Sequence, residues 1–147
     1  MTLTRSDITK AARSWLGTPY HHRASLRGVG CDCIGLVRGL WRDLYGSEPE
    51  PPGPYTGDWA EATGNEALLL AAQRNLRPVP TAAAQPGDIV IFRIRNNAVA
   101  KHAAVLVEDG RMIHAQEGVP VSEVALGSWW RRRIAAVFAL PGLDADH

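Results

Sequence analysis

Apolar and polar positions along this chain change period once. Between Thr4 and Leu16, the residues Ile8, Ala11, Ala12, Trp15 and Leu16 recur at the spacing of one helical face. Thr4-x-x-Asp7 has the form of a capping box ahead of that helix, and Gly17-Thr18-Pro19 ends it. The stretch from Gly28 to Tyr45 begins glycine-rich and continues as an amphipathic helix. Its apolar stripe is Ile34, Val37, Trp41 and Leu44, widened by Leu36 and Leu40, with Arg38 and Arg42 on the polar side. Gly35 and Gly39 stand four apart, where missing side chains let another element come close. Cys33 falls at the start of this helix, with Asp32 as its N-cap. Prolines crowd Gly46 to Trp59 and exclude both helix interior and central strand, so this segment is a connection. A further helical pattern runs from Glu61 to Leu76 through Leu68, Leu69 and Ala72, and Pro78 and Pro80 end it.

From Asp88 onward the pattern is that of strands. Asp88–Ile94, His102–Val107, Arg111–Ala115, Val119–Val124 and Ile134–Leu140 are β-rich runs separated by turn residues, with a turn or single helical turn at Leu126–Trp130. Helices first and consecutive strands after predict an α+β fold with an antiparallel sheet. One turn carries more weight than the others. A two-residue turn at Asp109-Gly110 would put His102 and His114 on opposite faces, because side chains alternate along a strand. A three-residue loop, Glu108-Asp109-Gly110 with Gly110 left-handed, pairs Val107 with Arg111 and puts both histidines on one face. The three-residue loop is the expectation here, and the cysteine helix is the element expected to cover that face.

Composition narrows the class. A chain of 147 residues with 46% hydrophobic residues suits one domain, 1–147, with a substantial core. A formal net charge of +1 gives no general pull toward nucleic acid or membrane, and Arg131-Arg132-Arg133 after Trp129-Trp130 reads as a local basic strand edge. The first residues lack the apolar core of a secretory signal, so the expectation is a protein made in the cytoplasm. Cys31 and Cys33 stand too close for an unstrained bridge and are read as thiols. Cys-x-Cys without a second close pair of ligands is a weak zinc signal, and no metal or other cofactor is expected.

A cysteine at a helix start and two histidines on one strand face suit nucleophilic acyl transfer. Cys33 is the candidate nucleophile, His102 the general base and acid, and His114 the residue that orients the His102 ring. The helix N-terminus carries partial positive charge, which favours a thiolate over a thiol, so with a histidine also near the Cys33 pKa is expected to fall from about 8.5 toward neutrality.

These residues resemble the NlpC-type cell-wall peptidases, a papain-like family of cysteine hydrolases. The family pattern appears in order as Gly17-Thr18-Pro19-Tyr20, Asp32-Cys33-Ile34-Gly35, Pro86-Gly87-Asp88, His102 and Ile113-His114-Ala115. The resemblance implies cleavage of peptidoglycan stem peptides, usually between γ-D-glutamate and a diamino acid, by a Cys33–His102–His114 triad. It carries Tyr20 over as a residue that binds substrate or lines the oxyanion site, and Asp32, Arg23 and Trp59 complete the expected substrate contacts. Within the family the chain looks most like a branch found in phage tails and gene transfer agents. That branch implies tail-tip or hub proteins as partners, and action in the periplasm or wall of a target cell. The sequence departs from the family at Ile34, which stands for a serine, at His21-His22-Arg23, which replaces a Gly-Gly, and at Cys31, which stands for an apolar residue. The other readings are a tail-tip module that keeps the fold without turnover, and an amidase or acyltransferase acting outside the wall.

Overall fold

The computed structural model describes residues 3–48, 67–95 and 100–143. Helix α1 spans Arg5–Arg13 and starts on the expected capping box: the Thr4 side chain accepts from the Asp7 N–H, and the Asp7 side chain accepts from the Thr4 N–H. The helix is shorter than the periodicity predicts. After Arg13 the backbone tightens to three-residue spacing, with Trp15 N–H on Ala12 and Leu16 N–H on Arg13, and Gly17 turns left-handed. Leu16 is thereby carried off the core face and is exposed.

A small hairpin unread in the sequence follows, β1 (Ser25–Leu26) against β2 (Gly30–Cys31), and leads directly into α2 (Cys33–Tyr45). The Asp32 carboxylate caps α2 by accepting from the Gly35 N–H, and Gly46 ends it in a left-handed conformation. The buried line of α2 is Gly35, Leu36, Gly39 and Leu40, whereas Ile34, Val37, Trp41 and Leu44 are half-buried. The stripe is thus rotated from the expected one, because the glycines take part in it. A Cβ on Gly39 would lie 2.1 Å from the Trp15 ring, and one on Gly35 would lie 1.8 Å from the Ala24 carbonyl oxygen. Arg38 and Arg42 both pair with Glu48.

Helix α3 (Ala67–Asn75) packs Ala72, Leu68 and Leu69 on the sheet; the beginning of the Glu61–Leu76 pattern and residues 49–59 of the proline-rich segment lie outside the described residues. The strands are β3 (Arg77–Val79), β4 (Ile89–Phe92), β5 (His102–Val107), β6 (Arg111–Gln116), β7 (Val119–Ala125) and β8 (Ile134–Ala139), with a short helix α4 (Ser128–Arg131) before the last. They pair antiparallel in the order β3-β8-β4-β5-β6-β7. The fold is therefore α+β, with helices packed on an antiparallel sheet. Strand β3 was hidden by Pro78, a residue tolerated on a sheet edge because no inward N–H is needed there. Ahead of β4, Asp88 is fully buried and ion-paired with Arg5 at 2.7 Å, which ties α1 to the sheet.

The two sheet faces are packed differently. Ile89, Val105, Val107, Ile113 and Ala115 meet Ile8, Ala12, Trp15, Leu36 and Leu40 from α1 and α2. The other face carries Val90, Phe92, Ala104, Leu106, Met112 and Val137, covered by Leu126 and Trp130 from the β7–β8 connection.

Candidate active site

The β5–β6 turn is the three-residue loop. Val107 pairs with Arg111 and Leu106 with Met112, and Gly110 is left-handed, as is Asp109. His102 and His114 consequently share a face, and His102 Nε2 lies 2.9 Å from His114 Nδ1. One of these nitrogens donates and the other accepts. His114 is 3% exposed. Burial, followed by the neighbouring His114, pushes His102 down to about 3, and burial also lowers His114.

The cysteine helix does not cover the imidazole face, contrary to expectation. It packs on the opposite face, through Leu36 and Leu40 against Val105, Val107 and Ile113. Its sulfur meets the hairpin at the sheet's end instead. The Cys33 S–H donates to the Lys101 carbonyl at 3.6 Å, and the Ala103 N–H also acts on the sulfur. Lys101 and Ala103 flank His102, so the sulfur is bracketed by the peptide groups on either side of the candidate base. His102 is the first residue of β5, so the sulfur approaches it at the end of the strand.

The expected lowering of the thiol is reversed in this resting geometry. Desolvation raises Cys33 well above its ordinary value, and the N–H groups of Ala103, Ile34 and Cys33 itself only partly offset that. A thiol held up beside an imidazole held down makes a neutral pair. Cys31 is fully buried in the α1–α2 core, as an apolar residue would be, and burial raises its thiol to about 11.

Tyr20 bridges to Cys31 through the backbone, and its phenol is raised to about 12, first by burial and then by the charge of Asp32. It is therefore a protonated hydroxyl. Asp32, expected among the substrate contacts, is buried and uses both oxygens on backbone: Oδ1 accepts from Gly35 and Oδ2 from Arg23, each at 2.7 Å. Its work here is to fasten the loop before β1 to the start of the cysteine helix. Arg23 is exposed and left-handed at φ 67°, a conformation that this bond holds in place. His21 and His22 are exposed, with His22 Nδ1 3.7 Å from the Asp32 carboxylate. Trp59 lies outside the described residues. Among the described residues, no three His, Cys, Asp or Glu side chains are grouped to hold a metal.

The sequence reading missed Trp130. Its ring stacks on His102 with centroids 5.4 Å apart and planes at 27°, and meets His114 edge-on at 5.2 Å. Phe92 closes the cluster, 4.9 Å from Trp130 and 5.8 Å from His102. The available signal was a tryptophan pair beside the last strand, which periodicity alone does not aim at any target.

Comparison with known proteins adds a lineage to this geometry. The sequence profile of the NlpC/P60 family matches residues 17–138. Murein DD-endopeptidase MepH of Escherichia coli (strain K12) is 26% identical over 124 residues, which cover 82% of this chain and 41% of that protein. The chain thus spans well under half the length of this relative. Among solved structures, the NlpC/p60 domain of the peptidoglycan hydrolase SagA superposes with a TM-score of 0.65 at 19% identity, covering 94% of this chain and 100% of that one. An NlpC/P60 family protein from Bacillus cereus ATCC 10987 gives a TM-score of 0.67 at 21% identity, covering 98% and 42%. The peptidoglycan hydrolase RipB from Mycobacterium tuberculosis gives 0.61 at 20% identity, covering 91% and 63%.

Proposed function

This chain belongs to the NlpC/P60 family, and from that premise we propose that it is a cysteine endopeptidase that cuts the stem peptides of peptidoglycan. The observation that carries the reading is the placement of Cys33 at a helix start, its sulfur bracketed by the peptide groups flanking a histidine that is itself bonded to a second histidine. The relatives named as peptidoglycan hydrolases or murein endopeptidases supply the substrate class.

The chemistry follows from the histidine pair. His114 engages Nε2 of His102, which leaves Nδ1 for the thiol proton. With His102 as donor and His114 as acceptor, the resting His102 is the Nε2–H tautomer, and Nδ1 is a lone pair. As the sulfur attacks the peptide carbonyl carbon, the S–H proton passes to Nδ1, and the imidazolium keeps its Nε2–H on neutral His114. The carbonyl oxygen takes up the negative charge; the Cys33 N–H at the helix start and, as the family resemblance implies, the Tyr20 hydroxyl are the donors assigned to it. His102 then gives its proton to the departing amine, and a thioester remains on Cys33. Water, deprotonated by the same nitrogen, attacks that thioester, the tetrahedral intermediate collapses, and the released sulfur recovers a proton from His102.

Two bonds are in view. The resemblance favours the γ-D-glutamyl–diamino acid bond, and the name of the relative MepH favours a D,D bond. Incubating the protein with purified sacculi and weighing the released peptides separates them: γ-D-glutamyl cleavage leaves shortened stems, D,D cleavage leaves cross-links opened with stems whole, and no release overturns the peptidase reading. The setting we propose is a phage tail or gene transfer agent particle, assembled on tail-tip or hub proteins and acting in the periplasm or wall of the target cell. What supports it is the likeness of Cys33-Ile34-Gly35-Leu36-Val37 and of the Pro51–Trp59 stretch to that branch. Finding the chain in purified particles tests it, and its absence from them would remove the setting without touching the chemistry.

A further inference from the structure

An imidazole turns easily about its last side-chain bond, because that torsion is broad rather than confined to narrow staggered wells. A single 2.9 Å bond between two rings does not by itself fix both, and water competes for it. Here both rings also lean on one surface. Trp130 lies across His102 at 27° and presents an edge to His114 at 89°, while Phe92 backs the same cluster. Resting on the triad reading above, we propose that Trp130 is a positioning residue: its indole holds the His102 and His114 rings in their shared hydrogen bond and keeps water off it.

The element that carries Trp130 is built for a fixed position. Helix α4 has four residues, too few to persist on its own. Arg133 pins it: its guanidinium donates to the Trp129 carbonyl at 2.8 Å and the Ile94 carbonyl at 3.2 Å, and stacks on the Trp129 ring at 3.8 Å. The Arg133 carbonyl in turn accepts from the Arg93 N–H at 2.8 Å, just past the end of β4. Trp129 meets Trp130 edge-on at 4.8 Å. The run Trp129-Trp130-Arg131-Arg132-Arg133, read in the sequence as a basic edge, thus holds an indole against two imidazoles. Among the described residues, the groups facing His102 are His114 from β6, Phe92 from β4 and Trp130 from α4, with Cys33 approaching from α2 at the strand end. Of these, His114 and Cys33 titrate.

The test compares wild type, Trp130→Ala, Trp130→Phe and Arg133→Ala by two readouts. The first is the NMR titration of His102 and His114 in a Cys33→Ala background, with no substrate present. The second is kcat and KM on a purified muropeptide, against pH. Trp130→Ala is expected to raise the His102 titration by about one pH unit or more and to lower kcat about tenfold or more, with KM within about twofold. Trp130→Phe keeps a ring and recovers most of both, and Arg133→Ala shifts both in the same direction by less. An unmoved histidine titration overturns the proposal, as does a raised KM with kcat held, which makes Trp130 a substrate contact. Should wild type cut no muropeptide, the peptidase reading fails, while the substrate-free titration still decides the role of Trp130.

Discussion

At the scale of single residues, the protonation of Cys33 and His102 sets what the site can do at rest. Burial pushes the thiol up and the imidazole down, so both are neutral over a wide range of pH. Alkylation of Cys33 by iodoacetamide is therefore expected to rise with pH, by about tenfold per unit between pH 6 and 8. A rate flat over that range would mean a preformed thiolate–imidazolium pair. Cys33→Ala is expected to lower peptide release from sacculi by about a thousandfold or more with the melting curve unchanged, since nucleophile loss removes the covalent route. His114→Ala is expected to slow release less than His102→Ala, because His114 touches the reaction only through the neighbouring ring. The reverse order would exchange their roles.

At the scale of elements, α2 is held by close approach on one side and by its cap at the start. Ala in place of Gly39 gains about 1 kcal/mol of helix propensity, but its Cβ would stand 2.1 Å from a buried tryptophan ring that is itself tied to Asp43. Overpacking of that kind costs about 1–3 kcal/mol, so Gly39→Ala is expected to destabilise, read as a lower midpoint in urea. Gly35→Ala is expected to cost more, because it meets the Ala24 backbone carbonyl, which cannot rotate away. Asp32→Ala removes a cap worth about 0.5–2 kcal/mol and also frees the Arg23 N–H, so it is expected to lower stability and activity together.

At the scale of the whole molecule, the two histidines link folding to pH. Their folded values lie below the unfolded value of about 6.5, so the unfolded chain binds more protons in acid. The stability tied to them is present above pH 6.5 and is lost as pH falls toward about 3. Glu48 and Glu108, lowered by their arginine partners, add a loss that begins in the ordinary glutamate range and continues below it. Melting temperature is therefore expected to start falling near pH 6, and His102→Gln is expected to shrink that first part of the acid limb. An acid limb that starts only below pH 4.5, in wild type as in the variant, would place the histidines in a more hydrated setting than the fold indicates.

Local signals were enough for much of this. Thr4 and Asp7, Asp32 before Cys33, and Glu108-Asp109-Gly110 between two strands each settle their geometry within a few residues, so the capping box, the helix-initial cysteine and the paired histidine face were legible in the sequence. Relations between distant segments were not. Which face of the sheet α2 covers depends on how α1, α2 and the twisted sheet bury their apolar area together, and that placed the helix behind the histidines and the sulfur at the strand end. The buried side of α2 turned toward its glycines because Trp15 and the Ala24 carbonyl, remote in the chain, fill the space they leave. Trp130 is the clearest case. Its neighbours along the chain say nothing of His102 or His114, and only closure of the β7–β8 connection over that face, pinned by Arg133, brings the indole onto the two imidazoles.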